Sequence, residues 1–214
     1  MFIKNITFTK VNIRLAIILI VLSVMLIYAN SLKNSFVWDD AIVIAENSFV
    51  KSWKNFPAIF SKAYLTPFSQ IEYLGINSAG SGETSYRPVV TLSYFIDYSI
   101  WKLNPFGYHL TNILLHIFNV ILLFFLAGLI TKNKKIALLC SLLFALHPVN
   151  TETVNGISFR EDLLAFLFFI SSFILYIKLD NYAGIKKSAY IPHRLFCFCW
   201  VYFPRESLSP CRLF

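Results

Sequence analysis

Apolar residues run along the chain in four blocks, Leu15 to Ser31, Ile113 to Thr131, Ile136 to Val149 and Leu163 to Ile177, each closed by a polar or basic hinge. A helix rising about 1.5 Å per residue needs roughly 20 residues to cross a hydrocarbon core of about 30 Å. The blocks are read as spans, the third and fourth short ones, with the third recruiting residues past Pro148 or inserting only in part. The first block reads as an uncleaved helix rather than a signal peptide, because no small-x-small cleavage site follows it. Between the first two blocks, Val89, Leu92, Ile96, Ile100 and Leu103 recur at spacings of three and four. That pattern predicts a helix with one apolar face and with Tyr94, Asp97 and Lys102 elsewhere. Trp101 and the nearby tyrosines suit a helix lying along the membrane interface. "LGINSAGSGETSYRP" before it reads as a loop, and "LNPFGYH" after it breaks the helix and turns the chain into the second span.

Composition agrees with the pattern. Apolar residues make up 57% and charged residues 14% of the chain, and the mean hydropathy is +0.63, outside soluble usage. The net charge of +8 invites a nucleic-acid partner, but the basic residues flank apolar blocks instead of gathering on one face, so no nucleic acid is expected and membrane lipid is the partner. Lys4, Lys10 and Arg14, then Lys132, Lys134 and Lys135, then Lys178, Lys186 and Lys187 fall on one side if each block crosses once. The positive-inside rule makes that side cytoplasmic, amino terminus included, and puts residues 32–110 and 147–162 in outer loops.

Residues able to do chemistry collect in those outer loops. Arg160, Glu161 and Asp162 abut the fourth block and must lie at its outer edge, since each would cost roughly 2.5 to 3.5 kcal/mol at mid-bilayer. Glu161 and Asp162 suit a helix amino terminus; Arg160 does not, and needs either its acidic neighbours or a bound anion. Asp39 and Asp40 form an adjacent pair that could hold a divalent cation or supply a general base and its orienter. "ALHPVNTETVNG" adds His147 and Glu152.

"NSFVWDD", "YRPVVTLSYFIDYSIWKLNPFGYHLTNILLH" and "ALHPVNTETVNGISFREDLLA" resemble, in order and spacing, the amino-terminal membrane region of the transmembrane-and-tetratricopeptide-repeat glycosyltransferase family. Its eukaryotic members are protein O-mannosyltransferases of the GT-C fold, and bacteria carry many relatives, so the resemblance implies a bacterial inner-membrane protein. It implies an all-α integral membrane fold, a GT-C-like multi-span bundle whose long first outer loop contains interfacial helices. Residues 1–14 would be a cytoplasmic tail and 15–190 a partial membrane domain. By the same likeness Asp39 and Asp40 occupy the place of a catalytic base or metal ligand, and Arg87, His147, Glu152, Arg160 and Asp162 would contact substrate. The donor implied is a polyprenyl-phosphate sugar and the acceptor a hydroxyl of a protein or glycan outside the cytoplasm. Arg160 would grip the donor phosphate through its planar fork, with Arg87 a second candidate. The chain departs from the family at Asn150, where a second His is common, and at Phe159 and Glu161, which replace Gly and Ala. These departures weaken a metal site in that loop.

The tail, 191–214, departs further. Pro192, His193 and Arg194 stand where a fifth span is expected, and no tetratricopeptide array follows. Read one base ahead, the codons of Cys197 and Cys199 give Val or Ala and that of Trp200 gives Gly, so a shifted frame encoding a fifth span is expected. The chain would then be a fragment inactive on its own. The alternative is a non-catalytic membrane anchor whose array binds partners; a transporter or channel fits less well, because the charges lie outside the spans.

Overall fold

The computed structural model describes residues 12–60 and 87–182, and the regular structure among them is helical. Helix α1 is Ile13–Tyr28, begun by Asn12, whose side chain accepts from the amide of Arg14 at 3.0 Å. It buries Ala16, Ile20, Val24 and Tyr28, one stripe at every fourth position, while Leu15, Ile18, Leu19, Leu22 and Leu26 stay exposed. A helix apolar all round yet buried on one stripe is shaped to face lipid. A tight 3-10 segment, Ala29–Lys33, continues it.

Two further short segments, Ala41–Ala45 and Trp53–Phe60, cover the same end of the molecule. Then come α2 (Pro88–Trp101), α3 (Pro105–Thr131), α4 (Lys134–Ala145), α5 (Asn150–Asn155) and α6 (Arg160–Tyr182). The break after α2 falls at Lys102, which takes φ 54°. "PFGYH" is therefore the first turn of α3 and not part of the break: Asn104 caps the amide of Phe106 at 3.2 Å, and Pro105 occupies a position where a helix tolerates it. Gly107 is needed there, because a Cβ would run into the ring of Trp101.

Helix α3 is the central post, packed against α1, α2, α4 and α6. Ile113, Ile117, Val120 and Phe124 meet the α1 stripe together with Ala137 and Ala145 of α4. A second cluster at the α1 carboxyl end joins Ile44, Phe49, Val50 and Ile59 to Val90, Tyr94 and Phe95 of α2, Tyr108 of α3 and Ile157 and Leu164. Among the described residues, Ile13–Lys33 and Pro105–Thr131 are the two segments long and apolar enough to cross a membrane. Helix α4 has 12 residues, about 18 Å at helical rise, and stops before Pro148 in a turn over Leu146 to Val149.

The face of α2 differs from the simplest reading of its periodicity. Ile96, Ile100 and Leu103 face outward, whereas Tyr94, Phe95 and Asp97 are buried. In water the apolar stripe would turn inward; here the outer surface is itself suited to lipid, and the polar face seeks partners in the bundle. The Gly- and Ser-rich stretch from Leu74, the lysines at 4, 10, 186 and 187, and the tail 191–214 lie outside the described residues.

Candidate functional site

One end of the bundle gathers the amino-terminal ends of α3 and α6, the carboxyl end of α1 and the loops that the sequence assigns to the outer side. The first of its loops turns at Val37 to Asp40, closed by the Asp40 amide donating to the Val37 carbonyl at 3.0 Å, with Trp38 at φ 53°. This turn separates the acidic pair. Asp39 is exposed, while Asp40 is buried. Oδ1 of Asp40 accepts from the amide of Ser158 at 2.7 Å and Oδ2 from the amide of Val37 at 3.4 Å. The WDD and SFRED motifs, far apart in sequence, are thereby held against each other.

Arg160 opens α6 and has no side-chain exposure. Its guanidinium pairs with Oδ2 of Asp97 at 2.6 Å. Nε donates to Asn112 Oδ1 at 2.7 Å, Nη1 to Ser93 Oγ at 3.1 Å and Nη2 to the Tyr108 carbonyl at 3.1 Å. The Tyr94 ring covers one face, 4.9 Å from centroid to the guanidinium carbon. Thr111 completes the shell by donating to Asp97 Oδ1 at 2.8 Å. Such a cation, buried and surrounded by acceptors, organises its neighbours; it does not present a fork to a ligand in this conformation. Burial raises the Asp97 carboxyl above its ordinary value, with the charge of Arg160 opposing.

The same neighbours satisfy the loop backbone. Asn112 Nδ2 donates to the Gly156 carbonyl at 3.0 Å and Tyr94 Oη to the Ile157 carbonyl at 3.0 Å, and further along α3 Asn119 Nδ2 donates to the Leu163 carbonyl in the first turn of α6 at 2.9 Å. Carbonyls in an apolar setting need such partners. His109, Asn112, His116 and Asn119 are all buried and lie on one face of α3 at spacings of three, four and three. The sequence placed Asp97 off the apolar face of its helix without giving it a role, and the stripe on α3 went unassigned, although a polar residue recurring at helical spacing inside an apolar run was a visible signal.

At the rim, Arg87 Nη1 meets Glu161 Oε1 at 2.7 Å, both side chains about a quarter exposed. Asp162 and Glu152 are exposed nearby, close enough for Glu152 to act electrostatically on Asp162. Partial burial raises the carboxyl of Glu161 above its ordinary value, and crowding by neighbouring protein that displaces some water does the same for the more exposed Asp162; Arg87 opposes this in both. His147 is exposed, its Nδ1 accepting from the Val149 amide at 3.2 Å, so it closes the turn after α4. Among the described residues no group of three His, Cys, Asp or Glu side chains could hold a metal ion. Both Asp40 oxygens face backbone amides, leaving Asp39 and water to a divalent cation, which is a poor cage.

The chain is similar to the human protein O-mannosyl-transferase TMTC3, 33% identical over 161 residues, covering 75% of this chain and 16% of the relative. It is 35% identical over 158 residues to protein O-mannosyl-transferase TMTC1 of Mus musculus, covering 71% and 15%. Against the human protein O-mannosyl-transferase TMTC2 the identity is 36% over 160 residues, covering 71% and 17%. The chain thus spans about a sixth of the length of these relatives. No protein-family model matches it, and no solved structure does.

Proposed function

Over 158 to 161 residues this chain is a relative of the TMTC protein O-mannosyl-transferases, and on that premise we propose that it forms part of a GT-C-type membrane glycosyltransferase. The substrate is a sugar carried on a polyprenyl phosphate, and the acceptor is a hydroxyl on the non-cytoplasmic side. The observation that carries this reading is the contact of Asp40 with the Ser158 amide, which brings the exposed Asp39 and the Arg87–Glu161 rim to one end of the bundle.

The roles follow from exposure. Asp39, free of the backbone amides that engage Asp40, takes the proton of the acceptor hydroxyl. The acceptor oxygen then bonds to the anomeric carbon as the bond from that carbon to the phosphate oxygen breaks, and the polyprenyl phosphate leaves with the electron pair. Arg87, partly exposed, balances the leaving phosphate. Glu152 and Asp162 accept hydrogen bonds from sugar hydroxyls, and His147 shapes the loop that carries Glu152. Arg160 holds α6 and the second outer loop in place from beneath. No step here needs a metal.

A full-length protein containing this segment, reconstituted with labelled polyprenyl-phosphate mannose and a hydroxylated peptide, tests the reading. Arg87→Gln is expected to raise the donor KM by on the order of tenfold, the worth of one charge-assisted contact, while the acceptor KM stays put. No transfer from any polyprenyl-phosphate sugar by the wild-type protein would leave the membrane-anchor reading in its place.

A further inference from the structure

The opposite end of the bundle holds a second feature. Between the start of α1, the end of α3, the start of α4 and the end of α6 lies a cleft of about 240 Å³. Ile13, Phe124, Phe125, Leu129 and Ile174 give it apolar walls, and Gly128 and the exposed Lys134 and Lys178 also line it. We propose that this cleft seats an anionic phospholipid, with an acyl chain along the apolar wall and the phosphate between the two lysines. The inference rests on the reading that the chain spans a membrane, and not on its being a transferase.

Charge distribution selects this occupant. Asp39, Asp40, Glu46, Asp97, Glu152, Glu161 and Asp162 belong to the other end of the molecule or its loops, and among the described helices and loops only Asp180, in the last turn of α6, falls at the cleft end. The end that carries the cleft has Arg14, Lys132, Lys134, Lys135 and Lys178. Lys134 and Lys178 are exposed, and neither forms an ion pair among the described side chains. The α4 amino terminus adds a positive dipole end, but its first amides are already taken by Asn133, which accepts from Lys135 and Ile136 at 3.0 and 3.4 Å. The lysines therefore supply the anion contact. A free phosphate would use them and leave the aromatic and aliphatic wall in contact with water; a zwitterionic lipid would use the wall and bring a repelled ammonium. Only an anionic lipid satisfies both halves, as basic pockets between membrane helices do for acidic head groups.

The full chain, purified in a neutral detergent and offered phosphatidylglycerol and phosphatidylcholine of matched acyl chains, would be examined by native mass spectrometry for retained lipid. Wild type should retain phosphatidylglycerol in preference by on the order of tenfold, from two lysines acting near the head group. Lys134→Gln with Lys178→Gln should abolish the preference, and Lys134→Arg with Lys178→Arg should keep it, which separates charge from misfolding. Equal retention by wild type, or a preference that survives the double Gln change, overturns the proposal. Alkaline extraction of membranes distinguishes the premise: a chain released by it does not span, whereas a chain retained without lipid preference spans but lacks this site.

Discussion

Arg160 sets the terms at the scale of single residues. A guanidinium with no exposure is tolerable only because Asp97, Asn112, Ser93 and the Tyr108 carbonyl receive its donors. Removing one partner leaves a charge buried without compensation, which costs about 3 to 5 kcal/mol. Arg160→Ala and Asp97→Ala should therefore each drop the thermal midpoint sharply in detergent, and the double change should cost less than the sum of the two, as a thermal-denaturation cycle would show. Lys at 160 should not rescue, since it cannot reach acceptors in several directions from one planar group. The sequence made Arg160 conspicuous as a cation at a helix start that wanted a partner. It did not reveal Asp97 as that partner, because the pairing depends on α2 turning its polar face inward.

Helix α3 carries the argument at the scale of elements. Its apolar run marked a span, but its buried polar stripe is what ties the second outer loop to the bundle. Asn112 holds both Arg160 and the Gly156 carbonyl, so Asn112→Leu leaves a buried donor and a buried acceptor unmade, at about 1 to 3 kcal/mol each. The expected result is earlier protease cutting between Val154 and Ser158 with the helices otherwise retained. Gly107→Leu should be more severe, since the Trp101 ring occupies the space and the α2 to α3 corner cannot close; a large loss of folded yield would report it. Periodicity found α2 from the sequence but not which side faces in, because the rule that apolar faces turn inward is a rule for water. Where lipid is the surroundings, a stripe of Ile and Leu carries no information about the inside.

The whole molecule has two chemically different ends, one mixed in charge and holding most of the described acids, the other basic. Two carboxyls at the mixed end contribute to its pH response. Glu161 and Asp162 have ordinary values of 4.5 and 3.8, and burial raises both in the fold. A carboxyl raised in the folded state binds its proton more tightly there than in the unfolded chain. Stability from these groups is thus greatest below the ordinary values and declines as pH rises through the raised ones. Across that window the thermal midpoint of wild type should fall relative to that of Glu161→Gln, as paired pH series of melting curves would show. The helical, membrane-suited character was legible from hydropathy and composition. The convergence of Asp40 on Ser158 was not, since residues with the four helices α2 to α5 between them meet only in three dimensions; the family likeness pointed to the motifs but not to the contact.

The transferase reading stands or falls on Asp39. The most direct measurement is the rate of sugar transfer by a full-length protein carrying Asp39→Asn, at saturating polyprenyl-phosphate sugar, with its melting curve taken on the same sample. Asp39 is exposed, so the melting curve should not move, while the rate should fall by roughly 10² to 10⁴ from loss of the general base. A variant that transfers sugar as fast as wild type would contradict the account and remove Asp39 from the chemistry.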